Sequence, residues 1–136
     1  MLHNDGTVAL ADFGIATYRS AKGQLEDASV APGMIMGTPS YISPEQITQP
    51  DVIDFRSDMY SLGATLYHAA TGRPPLDRAT VQDTLMAHVI EEPPAIQQLV
   101  PGFDPQLSQI IHRMLRKQPA ERYPSWDALR TVLGIQ

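Results

Sequence analysis

From Ser57 to Thr71 the chain carries Met59, Tyr60, Leu62, Ala64, Leu66, Tyr67, Ala69 and Ala70 with almost no polar face. Ser57 is read as the cap, Asp58 suits the positive end of the dipole, and Gly72 with Pro74-Pro75 provides the stop. A helix apolar all round is expected to be buried on every side. Downstream, Thr80 opens a second helix with Asp83 three residues on and Val81, Leu85 and Val89 at spacings of four. Asp104-Pro105 opens a third, whose Leu107, Ile110, Ile111, Met114 and Leu115 form a one-sided stripe. Ser125 opens a fourth that carries Trp126, Leu129, Val132 and Leu133. Upstream, Ser43-Pro44-Glu45 combines a serine cap, proline at the first helical position and an acid in the first turn, but Pro50 keeps that helix short. Residues 1–11 read as a hairpin turning at Asn4-Asp5-Gly6, and residues 15–36 as a long loop without periodicity. The pattern therefore predicts a mainly α chain: a small β-hairpin, one long loop and four to five helices.

Composition narrows the partners more than the fold. A net charge of −5 with only two lysines, Lys22 and Lys117, argues against a nucleic-acid surface. The chain has no cysteine, so disulfides, thiolate catalysis and zinc-thiolate sites are excluded. No apolar run approaches a membrane span and no signal peptide heads the chain, which together predict a cytoplasmic protein. His3, His68, His88 and His112 show no metal-ligand spacing and are read as core or surface residues.

Four short signatures then occur in order. Asp12-Phe13-Gly14 ends the hydrophobic strand Val8–Leu10, and Gly37-Thr38-Pro39-Ser40-Tyr41-Ile42-Ser43-Pro44-Glu45 begins 23 residues after Gly14. Ser57-Asp58-Met59-Tyr60-Ser61-Leu62-Gly63 runs into Thr71-Gly72-Arg73-Pro74-Pro75, and Gln118-Pro119-Ala120-Glu121-Arg122-Tyr123 comes last. Alone, the first tripeptide is a common accident. Together, the four make the chain resemble, over essentially its whole length, the C-terminal half of a bacterial-type Ser/Thr protein kinase domain.

The resemblance implies roles residue by residue. Asp12 matches the aspartate that holds magnesium on the ATP phosphates, Phe13 the plug whose packing separates on from off, and Gly14 completes that segment. Gly37, Thr38, Pro39 and Tyr41 match the floor under the peptide substrate, with Thr38 favouring Ser/Thr over Tyr specificity. Glu45 and Arg122 match a buried structural ion pair, and Asp58 a helix-start aspartate that holds the catalytic loop. Departures are Ser43 where alanine is commonest, and Thr17 where a basic residue often stands. There is no Ser or Thr between Val30 and Gly37, which leaves Thr17, Ser20 and Ser29 as candidate phosphosites. The implied organisation is a hairpin and magnesium segment at 1–14, an activation and substrate loop at 15–45, and a helical subdomain at 46–136.

Phosphoryl transfer also needs a glycine-rich lid, a strand lysine, a catalytic aspartate and a second metal ligand. No G-x-G-x-x-G and no His-Arg-Asp occurs among these 136 residues. The expectation is that the chain alone is inactive, with no catalytic residue of its own. Its parent is expected to be an ATP- and Mg-dependent kinase acting on protein substrates. A non-catalytic binding module, docking a partner through the 80–103 region, and one half of a split kinase are the alternatives. The segment missing from such a lobe should leave apolar surface exposed, open to self-association.

Overall fold

The computed structural model describes residues 18–19, 25–26 and 39–135. The chain divides into two compact units, Met1–Met36 and Gly37–Gln136. In the first, β1 (Tyr18–Arg19) pairs antiparallel with β2 (Leu25–Glu26), Tyr18 facing Glu26 and Arg19 facing Leu25. This pair lies where the sequence pattern reads as loop, because two-residue strands are too short to show alternation. The expected hairpin over residues 1–11 lies outside the described residues.

The second unit holds six α-helices among the described residues: α1 (Pro44–Thr48), α2 (Phe55–Thr71), α3 (Val81–Ile90), α4 (Ile96–Leu99), α5 (Pro105–Met114) and α6 (Trp126–Val132). Short 3₁₀ turns at Pro39–Tyr41, Pro50–Val52 and Pro119–Glu121 connect them. The helix beyond those expected is α4, a single turn that offers no periodicity to read. Side-chain caps set most starts: Thr80 accepts from the Asp83 N–H at 3.0 Å, Asp104 from Leu107 at 2.7 Å and Ser125 from Ala128 at 3.0 Å. Gly72 ends α2 at φ 76°, a left-handed conformation suited to glycine.

Two expectations for α2 need correction. Asp54, not Ser57, caps it: the Asp54 carboxylate accepts from the Arg56 N–H at 2.8 Å. Ser57 sits inside the first turn and donates its hydroxyl to Glu45 instead, at 2.7 Å. Nor is the helix buried all round. Met59, Tyr60, Gly63, Ala64 and Tyr67 are buried, while Asp58, Leu62, Thr65 and Ala69 form an exposed stripe at helical spacing. The described elements that pack on α2, chiefly α5, α4 and the Pro39–Tyr41 turn, cover its other sides.

The core consists of two adjoining clusters on α2. Tyr60, Ala64 and Tyr67 meet Ile96, Ile111 and Leu115, and Met59 meets Ile110, Met114, Tyr123 and Leu129. The stripe on α5 is thus buried as its spacing predicts. Gly63 marks the closest approach of α2 to α5, since a Cβ there would lie 2.8 Å from the Met114 Cβ. On α3 the buried face is Thr84, Ala87 and His88, whereas Val81, the first of the three apolar residues spaced by four, is 62% exposed. Packing overrides hydropathy there: small residues and a hydrogen-bonded histidine fit the contact with α1 and the Pro39–Tyr41 turn.

Candidate substrate platform and its buried anchor

Of the expected substrate floor, Pro39 and Tyr41 are among the described residues, and both lie in the 3₁₀ turn that leads into α1. Tyr41 is fastened to α2 at two points. Its carbonyl accepts from the Ser61 hydroxyl at 2.9 Å, and its own hydroxyl lies 2.6 Å from Nδ1 of His68 with the rings stacked. Serine and histidine at positions 61 and 68 fall two turns apart on one face of α2, which is why one tyrosine reaches both. The next segment is held by Gln46, whose Oε1 accepts from both the N–H and the hydroxyl of Ser43, each at 2.9 Å. That double contact, with Pro44 as the first helical residue, fixes the start of α1.

Below this turn the structure brings together Glu45, on α1, and Arg122, beyond the Pro119–Glu121 turn. The guanidinium meets the carboxylate in a two-point fork, Nη1 to Oε1 at 2.6 Å and Nη2 to Oε2 at 2.8 Å. Its remaining donors reach backbone carbonyls: Nη1 to Arg56 at 2.7 Å, Nη2 to Lys117 at 3.3 Å and Nε to Arg116 at 2.8 Å. Every N–H of the guanidinium is therefore used, and Arg122 is only 1% exposed. Burial alone would raise the Glu45 carboxyl, but hydrogen bonds from Arg122 and Ser57, with the arginine charge, hold it below the ordinary carboxylate range. One side chain thus ties α1, the start of α2 and the chain after α5 together.

Asp58 sits in the first turn of α2 on the exposed stripe, with no hydrogen-bond partner among the described residues. The protein around it raises its carboxyl by desolvation, although the side chain itself faces solvent. Asp12, Phe13, Gly14, Gly37 and Thr38, and the candidate phosphosites Thr17, Ser20 and Ser29, lie outside the described residues. Among the described residues no group of three or more His, Asp or Glu is placed to hold a metal ion.

Sequence reasoning did not find a second buried polar cluster beside the anchor. His88, fully buried on α3, lies with Nδ1 2.8 Å from the Tyr60 hydroxyl. Burial, reinforced by the Lys117 charge, lowers the imidazole to about 4, so it is neutral at physiological pH. Burial also lowers the Lys117 ammonium to about 8 against the pull of Glu92. Nε2 of His88 and Nζ of Lys117 are both cut off from water, and among the described residues neither makes a hydrogen bond of ordinary geometry. Tyr60 and His88 stand 28 positions apart, and nothing in their spacing announces the pair.

The profile of the protein kinase domain family matches residues 1–132. The chain is 40% identical over 132 residues to the serine/threonine-protein kinase PknF of Mycobacterium tuberculosis, covering 96% of this chain and 26% of that protein. It is 42% identical over 98 residues to the serine/threonine-protein kinase PksC of Streptomyces coelicolor, covering 72% of this chain and 17% of that one. It is also 37% identical over 128 residues to the serine/threonine-protein kinase Pkn1 of Myxococcus xanthus, covering 94% and 18%. The chain belongs to the protein kinase domain family, and its helical unit fits the C-terminal lobe of that domain. It spans about a quarter or less of the length of each of these relatives.

Proposed function

We propose that this chain is the substrate-side part of a Ser/Thr protein kinase, and that it transfers no phosphate by itself. In the complete domain the γ-phosphoryl group of ATP passes to a Ser or Thr hydroxyl of a protein. Asp12 would hold the magnesium, Phe13 and Gly14 would set that segment, and Gly37, Thr38, Pro39 and Tyr41 would floor the acceptor peptide. The observation that carries this reading is the double fastening of Tyr41 to Ser61 and His68 on α2, directly ahead of the anchored Glu45. A turn held this firmly is suited to fixing the register of a bound peptide, and positioning is most of what phosphoryl transfer asks of the protein. Magnesium, when bound, supplies charge neutralisation on the phosphates. The glycine-rich lid, strand lysine and catalytic base would have to come from outside these 136 residues. A cytoplasmic site of action fits this reading.

The test is to incubate the purified chain with labelled ATP, magnesium and a generic protein substrate. Label at the level of a protein-free control is expected, and transfer clearly above it would refute the proposal. A second reading, a non-catalytic docking module, draws on the apolar groups that α3 leaves in solvent: Val81 at 62%, Met86 at 51% and Ile90 at 68% exposed. With Leu62 at 39% on α2, these also supply the surface for self-association. Sedimentation across a concentration series separates a monomer from a self-associating chain.

A further inference from the structure

A column of buried residues runs from the arginine anchor to the Pro39–Tyr41 turn. The Arg122 guanidinium lies 4.9 Å from the centre of the Tyr60 ring, and the Tyr60 hydroxyl lies 2.8 Å from Nδ1 of His88. The Tyr60 and His88 rings meet edge to face, with centroids 5.7 Å apart. His88 belongs to the buried face of α3, the helix that packs on the turn. Its surroundings fix where the protons of this pair sit. Burial pushes the Tyr60 phenol up, so its O–H is intact and donates to Nδ1. Burial and the Lys117 charge keep the imidazole neutral at physiological pH, which assigns its one proton to Nε2. Of the turn's three carbonyls, that of Pro39 accepts from the Ile42 N–H at 3.5 Å and that of Tyr41 from the Ser61 hydroxyl at 2.9 Å. The backbone of Ser40, between them, is the part that acts on the His88 imidazole, and it draws the group upward as an acceptor does. The Ser40 hydroxyl is turned to Asp77, at 3.4 Å. With Nδ1 engaged by Tyr60, the Nε2–H is the donor available to that backbone, although Nε2 makes no hydrogen bond of ordinary geometry among the described residues. Contacts of this kind are often long in a free enzyme and close only when substrate binds.

We propose that His88 is a positioning residue for the acceptor peptide: aligned by Tyr60, its Nε2–H supports the backbone of Ser40 and keeps the Pro39–Tyr41 turn in register with the Glu45–Arg122 anchor. The role toward the peptide rests on the reading of that turn as the substrate floor, whereas support of the turn itself does not. The first test is NMR of the ring nitrogens in the isotopically labelled 136-residue chain. At neutral pH His88 should be uncharged with its proton on Nε2, and a proton on Nδ1 would overturn the proposal. Amide hydrogen exchange then separates local support from general stability. His88→Leu removes both ring nitrogens and should speed exchange at Ile42, which closes the turn, by about tenfold more than at Leu115, whose N–H bonds Ile111 in α5. His88→Gln, which keeps an N–H near the place of Nε2, should return Ile42 to slow exchange. Equal acceleration at Ile42 and Leu115 would mark a purely structural residue and overturn the proposal. The second test places these residues in Mycobacterium tuberculosis PknF in place of its matching segment, where His88→Leu should raise KM for a protein substrate about tenfold and leave kcat and KM for ATP nearly unchanged. If Ile42 responds and that KM does not, the role toward the peptide falls, and with it the turn as substrate floor. If Ile42 does not respond in a chain whose chimera is active, the inference falls and the kinase reading stands. Should His88→Leu fail to fold, the proton position in the unmodified chain still decides.

Discussion

Arg122 and Lys117 both approach the ring of Tyr60, at 4.9 and 5.8 Å from its centroid, and both are cations withdrawn from water. Arg122 has an acceptor for every N–H and a carboxylate in fork geometry. Among the described residues Lys117 has no acceptor for its ammonium, and the neighbouring His88 makes no hydrogen bond of ordinary geometry at Nε2. The difference lies in shape as much as in charge. A planar guanidinium can serve three backbone carbonyls and a carboxylate at once, whereas a single ammonium on a flexible stem depends on what stands at its tip. The first cluster therefore holds the fold, and the second keeps a cation without an acceptor among the described residues.

Breaking the satisfied cluster should have the largest effect. Arg122→Met strands the Glu45 carboxylate and Glu45→Ala strands the guanidinium, so each should lower stability by ~3–5 kcal/mol in urea unfolding. The double variant should lose less than the sum of the two singles. The Glu45 carboxyl is depressed in the folded chain, so its contribution is present above the unfolded pKa and is lost as pH falls through the folded one.

Acid should act on the second cluster next. With His88 lowered from 6.5 to about 4, its neutral form stabilises the fold above pH 6.5 and that contribution drains away between 6.5 and 4. The loss should be on the order of 3 kcal/mol across that window, read from urea midpoints, and His88→Gln should flatten the slope. Tyr60 joins the two clusters. Tyr60→Phe leaves Nδ1 of His88 buried without the hydroxyl 2.8 Å away and should lower stability by ~1–2 kcal/mol, with little effect on the Arg122 fork. The smallest effect has the opposite sign. Lys117→Met removes an uncompensated cation while keeping the stem, and should raise stability at neutral pH by ~1 kcal/mol, with His88 titrating higher. A stabilising Lys117→Met beside a crippling Arg122→Met would sharpen the contrast; equal losses would break it.

What the sequence disclosed follows from range. Thr80, Asp104, Ser125 and Gly72 act within a few residues of themselves, so their capping roles are legible in the chain. Asp54 and Ser57 are both competent caps, and only the Glu45 carboxylate waiting for the Ser57 hydroxyl decides between them. The pairing of Glu45 with Arg122 spans 77 positions; family resemblance suggested it, while spacing could not. Tyr41 with His68 and Tyr60 with His88 are equally non-local and carry no motif, and so both escaped notice. On α3 hydropathy ranks Val81 above Thr84, while packing against α1 buries the smaller, hydrogen-bonding side.

The most direct measurement replaces the matching segment of the 40%-identical Mycobacterium tuberculosis PknF with these 136 residues, and follows phosphate transfer to a protein substrate. A folded chimera should phosphorylate Ser or Thr, and Asp12→Ala within it should reduce transfer by at least about a hundredfold. A folded chimera without transfer, or one indifferent to Asp12→Ala, would contradict the assignment of this chain as the substrate-side part of a kinase.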